Sequence, residues 1–116
     1  MKEEKQWHTE VIKVIKPLEE EEYYNRLYHD LKGNGWEARY SGDIMEVAPE
    51  MIPDLLIAPI CYFEVREEYE KCAILMPIYQ SCLELVTMDE FEMMDHLGYK
   101  AYLLRKFRAT LNASKV

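Results

Sequence analysis

"PDLLIAPICYFEVR", residues 53–66, carries two apolar runs, "LLI" and "ICYFEV", on either side of Ala58-Pro59. Proline has no N–H to give to a ladder, so one central strand through Pro59 is disfavoured and a β-hairpin is expected. The register of that hairpin decides the chemistry. With a three-residue loop, Ala58-Pro59-Ile60, Ile57 faces Cys61 and Asp54 faces Glu64, because directly opposed residues of an antiparallel pair share a face. Arg66 lies two residues beyond Glu64 and joins the same face by strand alternation. A two-residue loop would pair Asp54 with Phe63 and turn Glu64 away.

Outward from this stretch, the sequence reads as alternating strands and helices. "WHTEVIKVIK" (7–16) is rich in β-branched residues and predicts a strand. Pro17 opens a helix whose first turn holds Glu19 to Glu22, acids that suit the positive end of the helix dipole. Tyr24, Leu27, Tyr28 and Leu31 recur at helical spacing over 18–32, and "GNG" at 33–35 supplies the stop. "WEARYS" (36–41) alternates as a half-wet strand, Gly42-Asp43 marks a turn, and "IMEVA" (44–48) predicts a short strand. "CLELV" (82–86) reads as a strand. Thr87 with Glu90 forms a capping box for a helix over 88–97 that Gly98 closes, and "YKAYLLRKF" (99–107) reads as the last strand. Residues 67–81 stay unassigned.

The chain has 116 residues, 49% of them hydrophobic and 31% charged, which suits one folded domain (1–116). No apolar run approaches the ~20 residues of a membrane span, and the N-terminus lacks the order of a secretion signal. Cys61, Cys72 and Cys82 are odd in number with no CxxC spacing, so they read as reduced, mostly buried thiols of a cytoplasmic protein. The formal net charge of −8 opposes a broad grip on nucleic acid. Locally, Arg105, Lys106 and Arg108 form a basic C-terminal strip. His8, His29 and His96 are isolated, with no partner at ligand spacing. Met88, Met93 and Met94 suit gap-filling on a short helix or a subunit contact.

Two carboxylates facing one another across a hairpin suit a hard divalent cation, Mg²⁺ or Mn²⁺, and a neighbouring guanidinium suits a phosphoryl group. Pro53-Asp54, a hairpin, then Glu64-Val65-Arg66 resembles the signature of the PD-(D/E)xK nuclease superfamily, which includes restriction endonucleases and archaeal Holliday-junction resolvases. The helix and strand of "EEYYNRLYHDLKGNGWEARYS" are similar to that family's opening elements. The resemblance covers roughly residues 18–107. It implies an α/β (or α+β) fold with a mixed sheet of four to six strands and two main helices: an αβββαβ core plus an N-terminal strand. It also implies Asp54 and Glu64 as metal ligands, Arg66 in place of the family's lysine, and a homodimer acting on DNA through the basic strip. Arginine does not titrate, so Arg66 keeps the charge but not the proton transfer. The helical glutamate that the family often adds falls on Glu20, with Glu21 as a near substitute, since Tyr24 occupies the usual position.

The rival expectation belongs to another class. An acidic, non-catalytic interaction module, ferredoxin-like in its strand–helix–strand start and finish, would use exposed tyrosines and methionines to bind a protein partner or a second copy of itself.

Overall fold

The structure, a computed structural model, describes residues 17–40 and 51–114. Every regular element among them is a helix: α1 (Pro17–Tyr40), α2 (Ile52–Val65), α3 (Tyr69–Leu85) and α4 (Glu90–Ser114). This corrects the α/β (or α+β) expectation, its four- to six-stranded sheet and its αβββαβ core; no strand occurs among the described residues. The strands expected over 7–16 and 44–48, the turn at Gly42-Asp43 and His8 lie outside the described residues. No described helix is long and apolar enough to cross a membrane.

The opening stretch is α2, one helix with no hairpin. Eleven of its fourteen residues are buried, so its side chains are enclosed in every direction. A helix that is apolar all round must be surrounded, and α1, α3 and α4 each pack against it. Pro59 sits inside this helix, where it removes the N–H that would bond the Leu55 carbonyl. In an exposed helix such a proline costs about 3 kcal/mol. Burial of Leu56, Ile57, Ile60, Tyr62 and Phe63, at about 1.5–3 kcal/mol each, outweighs that loss. A short apolar run fits a buried strand or a buried helix equally well, and here the surrounding helices decide.

The expected features of α1 are present. Pro17 opens it, Glu19 and Glu20 lie in its first turn, and the stripe of Tyr24, Leu27, Tyr28 and Leu31 is buried. Gly35 adopts φ 80° and ψ 171°, a conformation open to glycine, and breaks the helical path there. The chain then resumes as helix through Tyr40, so the strand expected over 36–41 is not formed by its described part. The "CLELV" strand is likewise the end of α3 and its cap. Gly98 does not stop α4, which runs through it and takes in the whole of the strand expected over 99–107. The capping box exists but is displaced. Asp89 Oδ1 accepts from the Glu92 N–H at 2.8 Å, and the Asp89 N–H donates to Glu92 Oε1 at 3.3 Å.

Aromatic rings knit the bundle together. Tyr24 of α1 stacks on Tyr62 of α2 at 4.6 Å between centroids, and Phe107 of α4 meets both edge-on at 5.7 and 5.5 Å. Tyr28 meets Phe63 edge-on at 5.8 Å. Lys71, at the start of α3, donates to Asn25 Oδ1 of α1 at 2.7 Å and to Glu68 at 2.9 Å, with its ammonium 4.8 Å from the Phe63 ring centroid. The cysteines are free. Cys61 and Cys82 are buried and Cys72 is half-buried, as the sequence suggested. Burial pushes the Cys61 thiol up to about 12 and the Cys82 thiol up to about 11.

The turn between α2 and α3 closes without a glycine. The Glu68 N–H donates to the Phe63 carbonyl at 2.9 Å and the Glu67 N–H to the Glu64 carbonyl at 3.0 Å, the paired bonds of a Schellman stop. Glu67 takes the left-handed position at φ 61°, which is costly for a residue with a Cβ. Glu67→Gly is therefore expected to raise stability by up to about 1 kcal/mol, once glycine's extra unfolded-state entropy is subtracted. Urea denaturation would show this as a higher midpoint at unchanged slope; a lower midpoint would mean that the Glu67 side chain holds the turn in some other way.

Candidate functional site

Among the described residues, three side chains from three helices form one buried polar chain. Asp54 lies in the first turn of α2, Tyr79 near the middle of α3, and His96 on the inner face of α4. His96 Nδ1 lies 2.6 Å from Asp54 Oδ1, and the Tyr79 hydroxyl lies 2.5 Å from His96 Nε2. All three are buried; His96 is 2% exposed and Asp54 7%. Burial, reinforced by the neighbouring Cys61 and Asp54, pushes the Tyr79 phenol up to about 12, so it keeps its proton at neutral pH. A carboxylate oxygen accepts, so His96 Nδ1–H donates to Asp54, and the Tyr79 hydroxyl closes the series at Nε2.

An acid, an imidazole and a hydroxyl in series resemble the parts of a nucleophilic site. The electrostatics run the other way. A nucleophile is activated by a lowered pKa or by a base at an accessible surface, whereas Tyr79 is held protonated in the interior. Three open depressions lined by described residues lie elsewhere, one of them along Val65, Arg66, Glu67, Arg108, Leu111 and Asn112. The chain of hydrogen bonds instead fixes α3 and α4 in rotation against the start of α2. Buried polar groups that satisfy one another in this way specify a single packing.

The structure does not bring the expected site residues together. Asp54 and Glu64 lie ten residues apart on one helix, about 15 Å along its axis, so no hairpin face unites them. Glu64 is half-buried in the last turn of α2. Arg66 follows as its C-cap, with the guanidinium 3.8 Å from the Tyr62 ring centroid and Nη1 3.5 Å from the Tyr62 carbonyl. Glu20 is buried on α1 at the other end of α2 from Asp54, within the fields of Lys106 and Arg66. Its Oε1 has no hydrogen-bond partner. Glu21 is exposed. No group of three or more His, Cys, Asp or Glu among the described residues is disposed to hold a metal ion.

The helical bundle conflicts with the PD-(D/E)xK nuclease fold, and among the described residues nothing supports the nuclease, hydrolase, DNA-binding or magnesium expectations that came with it. The basic strip is real as sequence but divided in space: Arg105 and Arg108 are exposed on α4, while Lys106 is half-buried within the field of Glu20. Comparison with family models, with curated proteins and with solved structures finds no match. The sequence marked Asp54 but missed its partners. His96 is 42 residues away and Tyr79 is 17 residues from His96, separations at which no local spacing gives a signal.

Two predictions follow the two buried acids. His96→Leu removes two hydrogen bonds, one to Asp54 and one to Tyr79, while Tyr79→Phe removes one. At about 0.5–1.5 kcal/mol per hydrogen bond, the first should cost roughly twice the second in chemical denaturation; equal and small losses would show that the chain of bonds contributes little. Glu20 has its pKa raised from 4.5, chiefly by burial and against the pull of Lys106 and Arg66. A carboxyl raised in this way supports the fold most below its unfolded pKa, and that support is lost as pH rises through the folded value. Glu20→Gln should therefore melt higher than the wild type at pH 7, with the gap narrowing as the pH falls towards 4.5. A gap that widened in acid would reverse the sign.

Proposed function

We propose that the protein is a non-catalytic helical interaction module whose contact surface is the outer side of α4. The single supporting observation is the distribution of apolar surface on that helix. His96, Leu103 and Phe107 anchor its inner side in the core. On the outer side Phe91 is 78% exposed, Met94 68% and Leu97 53%, with Tyr102 also exposed one turn further on. Single exposed apolar residues need no explanation, but several aligned on one helix face mark a binding surface. Phe and Met are also the side chains that interfaces favour, one for area and the other for adaptable packing.

The interior supports the same reading. The buried Asp54–His96–Tyr79 series holds helices in place and keeps its phenol protonated. Free, buried thiols with raised pKa values suit a reducing compartment, in keeping with a cytoplasmic module. Net charge of −8 keeps such a surface soluble until its partner arrives.

Site-specific photo-crosslinking in the cells that make the protein tests the proposal. A benzophenone side chain at position 94 should give a discrete protein adduct, and the same group at Glu70, exposed on α3, should give none. Adducts of equal yield at both positions, or at neither, would overturn the assignment of α4 as the contact surface.

A further inference from the structure

Taken in steps of three and four residues, the outer side of α4 presents Phe91, Met94, Gly98, Ala101, Arg105 and Arg108, all exposed. That alternation is the 3.5-residue repeat by which one helix seats against another. The seam changes character along its length. Its first part is apolar and flanked by the acids Asp89, Glu90 and Asp95; its centre is small; its last part is basic. Around Gly98 a Cβ would meet nothing within 4 Å, so the centre offers room for close approach.

We infer that the partner of this surface is a second copy of the chain, paired through α4 in antiparallel orientation about a two-fold axis between Gly98 and Ala101. The inference rests on the reading of α4 as a contact surface and adds the identity of the occupant. In that register Phe91 lies against Arg108 of the second copy, Met94 against Arg105, and Gly98 against Ala101. Each contact occurs twice, as an isologous interface requires. A guanidinium is attracted to the face of an aromatic ring, and the aliphatic stem of arginine covers a thioether well. The incoming arginines also arrive where Asp89 and Glu90, with Met88, Met93 and Met94, line an open depression of about 530 Å³. Charge complementarity fixes the direction. An antiparallel pair sets acidic half against basic half, whereas a parallel pair would stack arginine on arginine and acid on acid. One helix face makes a small contact beside the about 800 Å² per partner of a standard interface, so a reversible, concentration-dependent dimer is expected.

Sedimentation equilibrium on the full chain, from low to high micromolar concentration, tests this. The wild type should move reversibly from monomer to dimer. Arg105→Glu with Arg108→Glu, both at exposed positions, should weaken the dimer about tenfold or more, a change of about 1.4 kcal/mol per factor of ten. Glu90→Arg with Asp95→Arg should do the same, and an equimolar mixture of the two doubly substituted chains should recover a heterodimer. Ala101→Trp, which adds bulk at the closest approach, should leave helicity by circular dichroism unchanged and abolish dimerisation. A wild type that stays monomeric throughout overturns self-pairing while leaving the crosslinking outcome at position 94 to decide whether α4 binds another protein. A wild-type dimer insensitive to these substitutions, or reversed chains that fail to recover each other, overturns the antiparallel α4 arrangement.

Discussion

The architecture depends on one constraint: α2 has no face that water can wet. Its buried residues point in all directions, so the chain must supply neighbours on every side, and α1, α3 and α4 are those neighbours. This enclosure explains why a proline is tolerated mid-helix, because the lost hydrogen bond is small beside the apolar area removed from water. It also explains the aromatic cluster. Tyr24, Tyr62 and Phe107 come from three helices and meet where those helices converge.

Enclosure leaves the problem of rotation. An apolar helix in an apolar sheath can settle in several orientations at similar energy, whereas hydrogen bonds in a low-dielectric interior permit few. Asp54, His96 and Tyr79 supply that restriction at one end of α2. At the other end Arg66 over Tyr62, and Lys71 joining α3 to α1, act at the margin of the core. The polar chemistry of the molecule is thus largely spent on its own geometry. What remains outward-facing and unexplained by the fold is the apolar and charged pattern of α4.

The first helix could be read from sequence because its signals are local: proline at the start, acids in the first turn, apolar residues every three or four positions. α2 could not be read in the same way. Its apolar run carries no period, and Pro59 argued for a hairpin only so long as neighbouring helices were unknown. The stop after α2 was invisible because Glu67, not glycine, takes the left-handed position. Gly98, which resembles a stop, is an exposed residue within α4. The capping signal was read two residues early, at Thr87 and Glu90 in place of Asp89 and Glu92. Asp54 stands out in the sequence as an acid inside an apolar segment, yet its partners lie on helices formed much later in the chain. Glu20 was singled out by its place on the helix stripe, and that same place buries it.

The three thiols have a further consequence. Cys61 and Cys82 are sealed in the interior and held protonated, while Cys72 is half-buried with its Sγ 3.5 Å from the Ile60 carbonyl. The thiolate attacks alkylating reagents, so Cys61 and Cys82 become modifiable only when the helices over them part, while Cys72 needs less. The native sequence therefore carries its own graded clock for opening. Cys72 records partial separation of α3 from α2, and Cys61 and Cys82 record the rarer events in which the whole bundle comes apart.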